Sequence, residues 1–384
     1  MFVARKKVMK GLFDEALRST LFALKKEKVV KETVLEVLGA ISDPVTGAPV
    51  AKVAKIVADT DAKKARVTFG YPIAKAEREA FLEQASKALR AHNLDFAIDI
   101  EVDVKPRAVR VGAKRVDGVR NIIAVASGKG GVGKSTVTAN LAAALAAQGA
   151  RVGVLDADLY GPSQHILFGL RSVPVENDGA RYIPSVSCGV SLMTLGQILE
   201  EGSPAIWRGP LAAKTLEDIF KLTAWGELDY LFIDLPPGTG DIQITLAQSF
   251  PLTAAVVVTT PQDLSTEDAS RAIALFEKTS IPVLGIVENM ATYRCPHCGA
   301  IERIFGEGGA ARLAKRTGLE VLASLPLEAG VVRESDAGVP VAIANTDSDA
   351  GVAFFNLSQK VAAGLCLLPP DLSSRLPRIV SDGA

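Results

Sequence analysis

Residues 128–136 read Gly128-Lys129-Gly130-Gly131-Val132-Gly133-Lys134-Ser135-Thr136, and no other stretch limits the fold of this chain so tightly. An apolar strand-like run, Asn121–Ala126, leads into it, and an Ala-rich helical stretch, Lys134–Ala147, leads out. The string fits the phosphate-loop pattern G-x-x-x-x-G-K-[ST] in the setting that pattern requires, strand before and helix after. Glycines let successive backbone N–H groups converge on phosphate oxygens without Cβ obstruction, and the helix N-terminus adds its positive end. Gly128, Gly130, Gly131, Val132, Gly133 and Thr136 then form a cradle. Lys134 neutralises charge between the outer phosphates of a nucleotide such as ATP, and Ser135 ligates Mg2+. A chance glycine-rich turn opening a helix is the competing reading, and the matched positions with correct flanks leave it little room.

From residue 119 strands and helices alternate. The strands are Asn121–Ala126, Arg151–Leu155, Tyr230–Ile233, Ala254–Thr259, Val283–Val287 and Val321–Ser324. Between and after them, Leu211–Leu222, Thr266–Thr279, Gly309–Thr317 and Ala350–Leu365 read as helices, the second opening with a capping-box-like Ser265 and Asp268. Continuously apolar strands joined by helices predict an α/β fold, a doubly wound, mostly parallel sheet of the P-loop NTPase type.

The first hundred residues have a different pattern. Thr33–Leu38 reads as helix, Ala51–Val57 and Ala65–Phe69 as strands, and Lys75–Ala91 as helix. Phe96–Val104 alternates apolar and acidic residues, the period of a half-exposed strand. The expected organisation is a basic helical extension (1–31), a small α/β domain (32–104), a linker (105–118), the ATPase domain (119–368) and a Pro-rich tail (369–384). At 384 residues the chain exceeds one ordinary core, which agrees with two domains. The extension carries nine cations against three acids, with no apolar core of a secretory signal. An organellar transit peptide is the other reading of this segment, and its acids favour the plain extension.

Composition excludes several classes. Lys plus Arg and Asp plus Glu both total 43, which argues against a nucleic-acid partner. No apolar run reaches the roughly 18 to 20 residues of a membrane-spanning helix, so no membrane role is expected. Four cysteines make no disulfide framework for a chain this long, and a cytoplasmic location is expected.

Three acids follow strands. Asp156-Ala157-Asp158 begins a segment ending Gly161-Pro162-Ser163, where ligands bind in open α/β sheets. Asp158 is the candidate to hold or activate the attacking water, and Asp156 to orient the metal's water shell. Tyr230–Ile233 ends in Asp234, the Walker B position, expected to accept a metal-bound water. Leu235-Pro236-Pro237-Gly238-Thr239-Gly240-Asp241 then forms a turn suited to sensing a γ-phosphate. Asn289 follows the strand Val283–Val287, and its amide can pair with both a donor and an acceptor on adenine.

Cys295-Pro296-His297-Cys298-Gly299 forms a knuckle with two sulfurs directed at one metal. Thiolates select Zn, Cu(I) or iron–sulfur centres, and such a site needs about four ligands where one pair supplies two. Two copies around a two-fold axis would supply four, which points to a homodimer. A redox dithiol is the competing reading, and a zinc knuckle borrowing His297 is a weaker one. Cys188 and Cys366 sit in apolar segments as core residues.

Together these residues resemble the Mrp/ApbC family of iron–sulfur cluster carrier ATPases, within the deviant-loop group that includes MinD and the nitrogenase iron protein. The marks are Gly128–Thr136 with its extra Lys129, Asp156–Ser163, Trp207-Arg208-Gly209-Pro210, Asp234–Asp241 and Cys295–Cys298, over about residues 115–365. The resemblance implies a homodimer in which Lys129 reaches the partner's phosphates. It also implies ATP and Mg2+ as ligands and a labile [4Fe–4S] cluster on paired cysteines, passed to apo iron–sulfur proteins; Zn2+ is an alternative occupant of Cys295 and Cys298. Residues 32–104 look like the small iron–sulfur-assembly domain often fused ahead of this ATPase, but Thr68-Phe69-Gly70-Tyr71-Pro72 lacks its cysteine. The rival functions are a MinD/ParA-type positioning ATPase and an ATP-coupled electron-transfer reductase.

Overall fold

The computed structural model describes residues 21–371, apart from 23, 111–112, 172 and 199–208. Most of the basic extension, Trp207 and Arg208, and the tail beyond 371 therefore lie outside the described residues. The chain divides into two compact units between Asp103 and Val104.

In the first unit, helix α1 runs over 24–40, and α2 (Val50–Val53) leads into β1 (Ala54–Asp59). β2 (Lys64–Phe69), α3 (Lys75–Ala91) and β3 (Ala97–Val102) follow. The expected strand from Ala51 is a helical turn as far as Val53. Pro49, with φ −55°, sets the turn, and the Val50 N–H is taken by the Ile41 carbonyl at 2.8 Å. β2 lies between β1, antiparallel, and β3, parallel. Its alternation is complete: Ala65, Val67 and Phe69 are buried, while Lys64 and Arg66 pair with Asp99 and Glu101 on β3. Phe69 meets Phe81 of α3 edge-on at 5.3 Å, and the Tyr71 hydroxyl donates to Asp43 at 2.6 Å, closing the Ser42–Gly47 turn over the core.

The second unit is built on β4 (Val119–Ser127), α4 (Lys134–Ala147), β5 (Val152–Asp156) and the short α5 (Gln164–Leu167). Two-residue strands β6 (Glu176–Asn177) and β7 (Tyr182–Ile183) precede a hairpin, β8 (Ser185–Ser187) and β9 (Val190–Thr194). Then come α6 (Gly209–Leu222), β10 (Leu228–Asp234), α7 (Asp241–Ser249), β11 (Ala254–Thr259), α8 (Asp263–Lys278) and β12 (Val283–Arg294). β13 (Ile301–Glu302), α9 (Gly309–Thr317), β14 (Val321–Leu327), α10 (Ala329–Asp336), α11 (Val341–Ala344) and α12 (Asp349–Cys366) complete it.

The main sheet runs β12-β11-β4-β10-β5-β9, parallel throughout, with β14 also parallel on β12 and β8 and β13 as antiparallel edges. This is a mixed α/β P-loop fold with a mostly parallel sheet. Every residue of β10 and β11 is buried, because helices cover both faces. On one face Ile122, Leu231, Ile233 and Val257 pack with Leu216, Phe220, Ile273 and Phe276. On the other, α4 packs with α11 and α12. The chain leaves β4 toward β5 on one side and later crosses to β11 on the other, so the crevice lies at the carboxyl ends of β4 and β10.

Segment 105–118, expected as a linker, is held against this unit. The Arg107 N–H donates to Asn121 Oδ1 at 3.0 Å, and Arg115 pairs with Asp371 at 2.8 Å. Helix α8 begins three residues earlier than expected, so the Ser265–Asp268 pair falls inside the helix rather than capping it. Ser265 is buried, and its Oγ accepts from Thr259 Oγ1 at 3.0 Å and from the Thr260 N–H at 3.2 Å.

Candidate functional site

The loop between β4 and α4 has a shape that two glycines dictate. A Cβ on Gly128 would lie 2.1 Å from the Asp268 carbonyl carbon of α8, and Gly133 holds φ +82° with its missing Cβ 2.2 Å from Asn289 Nδ2. At Gly128 any side chain would displace the α8 backbone, and at Gly133 it would be strained by the left-handed φ and would push Asn289 aside. Lys129 is half-buried at the start of the loop, and its carbonyl accepts from Ser127 Oγ at 2.9 Å. Gly130 and Gly131 are exposed, and Val132 is buried.

β10 ends in Asp234, fully buried and paired in register with Asp156 at the end of β5. The Lys134 ammonium donates to Asp234 Oδ1, and to Ser135 Oγ at 3.2 Å. Thr138 Oγ1 donates to the same Asp234 oxygen at 3.1 Å. Lys134, Ser135, Asp156, Asp158 and Asp234, read from separate parts of the chain, thus converge at the carboxyl ends of the central strands.

Asp156 is committed to protein donors. Its Oδ2 accepts from the Ser163 and Gln164 N–H groups, both at 2.9 Å, and from Thr194 Oγ1 at 3.1 Å. Its Oδ1 accepts from the Asp158 N–H at 3.2 Å. The carboxylate therefore ties both ends of the 156–163 segment together. Burial, and next the Asp234 charge, push it up to about 7, while the backbone donors and Lys134 oppose the rise. Burial also raises Asp158 above the ordinary carboxylate range, despite the opposing field of Lys134.

Asn289 ends buried, with its Nδ2 donating to the Val132 carbonyl at 2.8 Å, so the residue expected to read adenine also braces the phosphate loop. It lines a cleft of about 250 Å3 with Gly133, Thr136, Met290, Pro326 and Leu327. Met290 has φ +57°, beside an irregularity in the β12–β14 register. β12 runs on through Asn289 to Arg294, beyond its expected end, and carries the cysteine knuckle at its tip.

That knuckle joins β12 to β13. The Cys295 N–H donates to the Ala300 carbonyl at 2.8 Å, the Gly299 N–H donates to the Cys295 carbonyl at 2.9 Å, and Gly299 holds φ +73°. The Cys298 backbone N–H, then that of His297, then the Cys298 thiol, lower the Cys295 thiol below its ordinary value. Cys295 is half-buried and Cys298 exposed, and among the described residues no group of three or more His, Cys, Asp or Glu converges on a metal site. Cys188 is half-buried and Cys366 is buried.

The site also contains residues that no motif signalled: Thr138 on Asp234, Thr194 on Asp156, and Gln164. Gln164, fully buried, donates from Nε2 to the Ser135 carbonyl at 3.0 Å and to Asp234 Oδ2 at 2.8 Å. Its Oε1, like Ser163 Oγ, is buried without a hydrogen-bond partner. Beside the Lys134 ammonium, hydroxyl, carboxylate and buried amide oxygens supply the hard donors that suit Mg2+.

A model of the ParA group described as the NUBPL iron-transfer P-loop NTPase matches residues 118–362. An iron–sulfur cluster carrier protein from Pseudomonas fragi is 47% identical over 270 residues, 70% of this chain and 94% of that protein. A protein of the same description from Aquifex aeolicus is 50% identical over 248 residues, 64% of this chain and 68% of that protein. Among solved structures, a nucleotide-binding protein from Archaeoglobus fulgidus in complex with ADP is 41% identical. It has a TM-score of 0.55 and covers 62% of this chain and 94% of its own. On this extent and identity, the chain belongs to the Mrp/ApbC family of iron–sulfur cluster carrier P-loop NTPases.

Proposed function

We propose that this protein is an ATPase that carries an iron–sulfur cluster and delivers it to apo-proteins. The observation that carries the reading is that one strand, β12, holds Asn289 beside the phosphate loop and ends at Arg294, next to Cys295, which follows Asn289 by six residues or about 20 Å. A nucleotide site and a thiol pair with one exposed member, linked by one strand, suit a carrier whose grip on its cargo responds to ATP.

ATP would lie with its phosphates on Gly128–Thr136 and its base in the cleft beside Asn289. Lys134 exchanges Asp234 for phosphate oxygens, and Asp158 orients the attacking water. Ser135 and Asp234 would hold Mg2+, with Asp156 fixing the segment around it. When bound, Mg2+ neutralises charge building on the outer phosphates. The cargo is a [4Fe–4S] cluster held by Cys295 and Cys298 of two protomers, with Lys129 of each reaching the other's nucleotide; Zn2+ is a substitute occupant. The N-terminal unit, which contains no cysteine, serves docking or regulation rather than ligation. A reducing compartment such as the cytoplasm keeps the exposed dithiol competent. Among the described residues no helix is long and apolar enough to cross a membrane.

Cluster transfer tests the proposal. Protein reconstituted anaerobically with iron and sulfide should restore activity to an apo [4Fe–4S] enzyme, with ATP changing the rate. Retention of the cluster in the presence of excess acceptor would favour the reductase reading instead.

A further inference from the structure

Gln164 joins three parts of the nucleotide site. Its backbone N–H is taken by Asp156, and its Nε2 bridges the first turn of α4, at the Ser135 carbonyl, to the Asp234 carboxylate. The two Asp234 oxygens are thereby divided, Oδ1 facing Lys134 and Thr138 and Oδ2 facing Gln164. The amide orientation is dictated chemically. Turning it over would set an oxygen against a carbonyl and a carboxylate, two acceptors. That orientation leaves Oε1 buried and unpartnered. A buried acceptor with no donor is costly, and an apolar side chain of the same length would fill the space without the cost.

We infer that Gln164 is a positioning residue of the metal–nucleotide site, its Nε2 fixing the Asp234 carboxylate while its Oε1 is kept as an acceptor for a water of the Mg2+ shell. The inference rests on the ATP·Mg2+ reading above and adds a residue to it. Because the Gln164 N–H binds Asp156, the same residue couples the 156–163 segment to Asp234. A change of Asp234 partner on nucleotide binding is therefore transmitted to that segment through one side chain. Outer-sphere partners of this kind act through the ligand they hold, so the effect belongs to metal dependence rather than to nucleotide grip.

The test is a Mg2+ titration of N-methylanthraniloyl-ADP binding, followed by fluorescence, on the full chain and on Gln164→Met and Gln164→Asn. Met keeps the length and removes both amide functions; Asn keeps the amide on a shorter stem. In Gln164→Met the Mg2+ midpoint should rise about tenfold. Affinity measured in EDTA should stay within about twofold of wild type, because the glycine cradle and Lys134 are untouched. Gln164→Asn should show a smaller rise. A wild-type midpoint in the Met variant overturns the inference, as does an equal loss with and without Mg2+. If the Met variant gives no cooperative melt, the Asn variant decides by the same midpoint. Absence of any Mg2+ dependence in the wild-type protein would instead sink the ATP·Mg2+ reading itself.

Discussion

The two sites that β12 connects, the phosphate loop beside its middle and the cysteine knuckle past its end, are built on opposite principles. At the phosphate loop, charged groups are almost wholly buried and meet one another: Lys134 is 6% exposed and Asp234 0%, and Asp156 receives four protein donors. At the cysteine knuckle, two sulfurs, one of them exposed, stand before the two-residue strand β13 in a turn closed by the backbone bonds of Cys295 and Gly299. The first is a preorganised electrostatic cradle, where the protein has oriented its dipoles before the ligand arrives. The second, which we propose to be half of a coordination shell, is accessible from outside. Difference in burial therefore separates a site that must act on its ligand from one that must hand its ligand on.

Substitutions at the two sites should fail differently. Replacing Cys295 and Cys298 by Ala should abolish iron and sulfide uptake on reconstitution, while shifting stability by no more than about 0.5 kcal/mol, as for other positions outside the core. A large loss in urea midpoint would show that the knuckle is structural. Lys134→Ala should cut ATP turnover by about 100-fold or more. It should also cost about 3 kcal/mol, because Asp234 is left buried without its cation. Full stability in that variant would contradict the picture of a pre-built cradle.

Gly128→Ala probes the cradle without touching charge. Its new methyl meets the α8 backbone, so destabilisation of about 2 kcal/mol is expected by chemical denaturation, with weakened nucleotide binding. The smallest effect is at the other end of β10, far from either site in its chemistry. Asp229 is pushed up by burial, but the Arg151 hydrogen bonds and charge, and then the Arg120 charge, outweigh this and hold it below the ordinary carboxylate value. Asp229→Asn should cost about 1.5 kcal/mol at neutral pH. Since a lowered folded pKa adds stability only above the unfolded value, the gap to wild type should be full above about pH 5 and close as the pH falls below about 4. A pH-independent gap in thermal or urea unfolding would refute the assignment.

The cradle is legible in sequence because phosphate binding needs a contiguous string; the helix Lys75–Ala91 is legible from its apolar spacing and Lys134–Ala147 from its run of alanines, both of which are local signals. What escaped depends on tertiary partners. Val190–Thr194 becomes a sheet strand only because β5 lies beside it, and Val50–Val53 turns helical because Pro49 and Ile41 claim its start. Ser265 looks like a cap in sequence, yet it is buried inside α8 and accepts from the end of β11. Gln164 carries no motif, and only the fold brings it to Ser135 and Asp234. Asn289 was placed in the site from its strand, but its bond to the Val132 carbonyl could not be read from spacing.

The central claim is that the exposed end of β12 is completed by a second copy of the chain. Native mass spectrometry of anaerobically reconstituted protein, with ATP present, tests it most directly. The account predicts one four-iron, four-sulfide cluster per two chains, lost with Cys295→Ala. A cluster of full iron content on a single chain would contradict it.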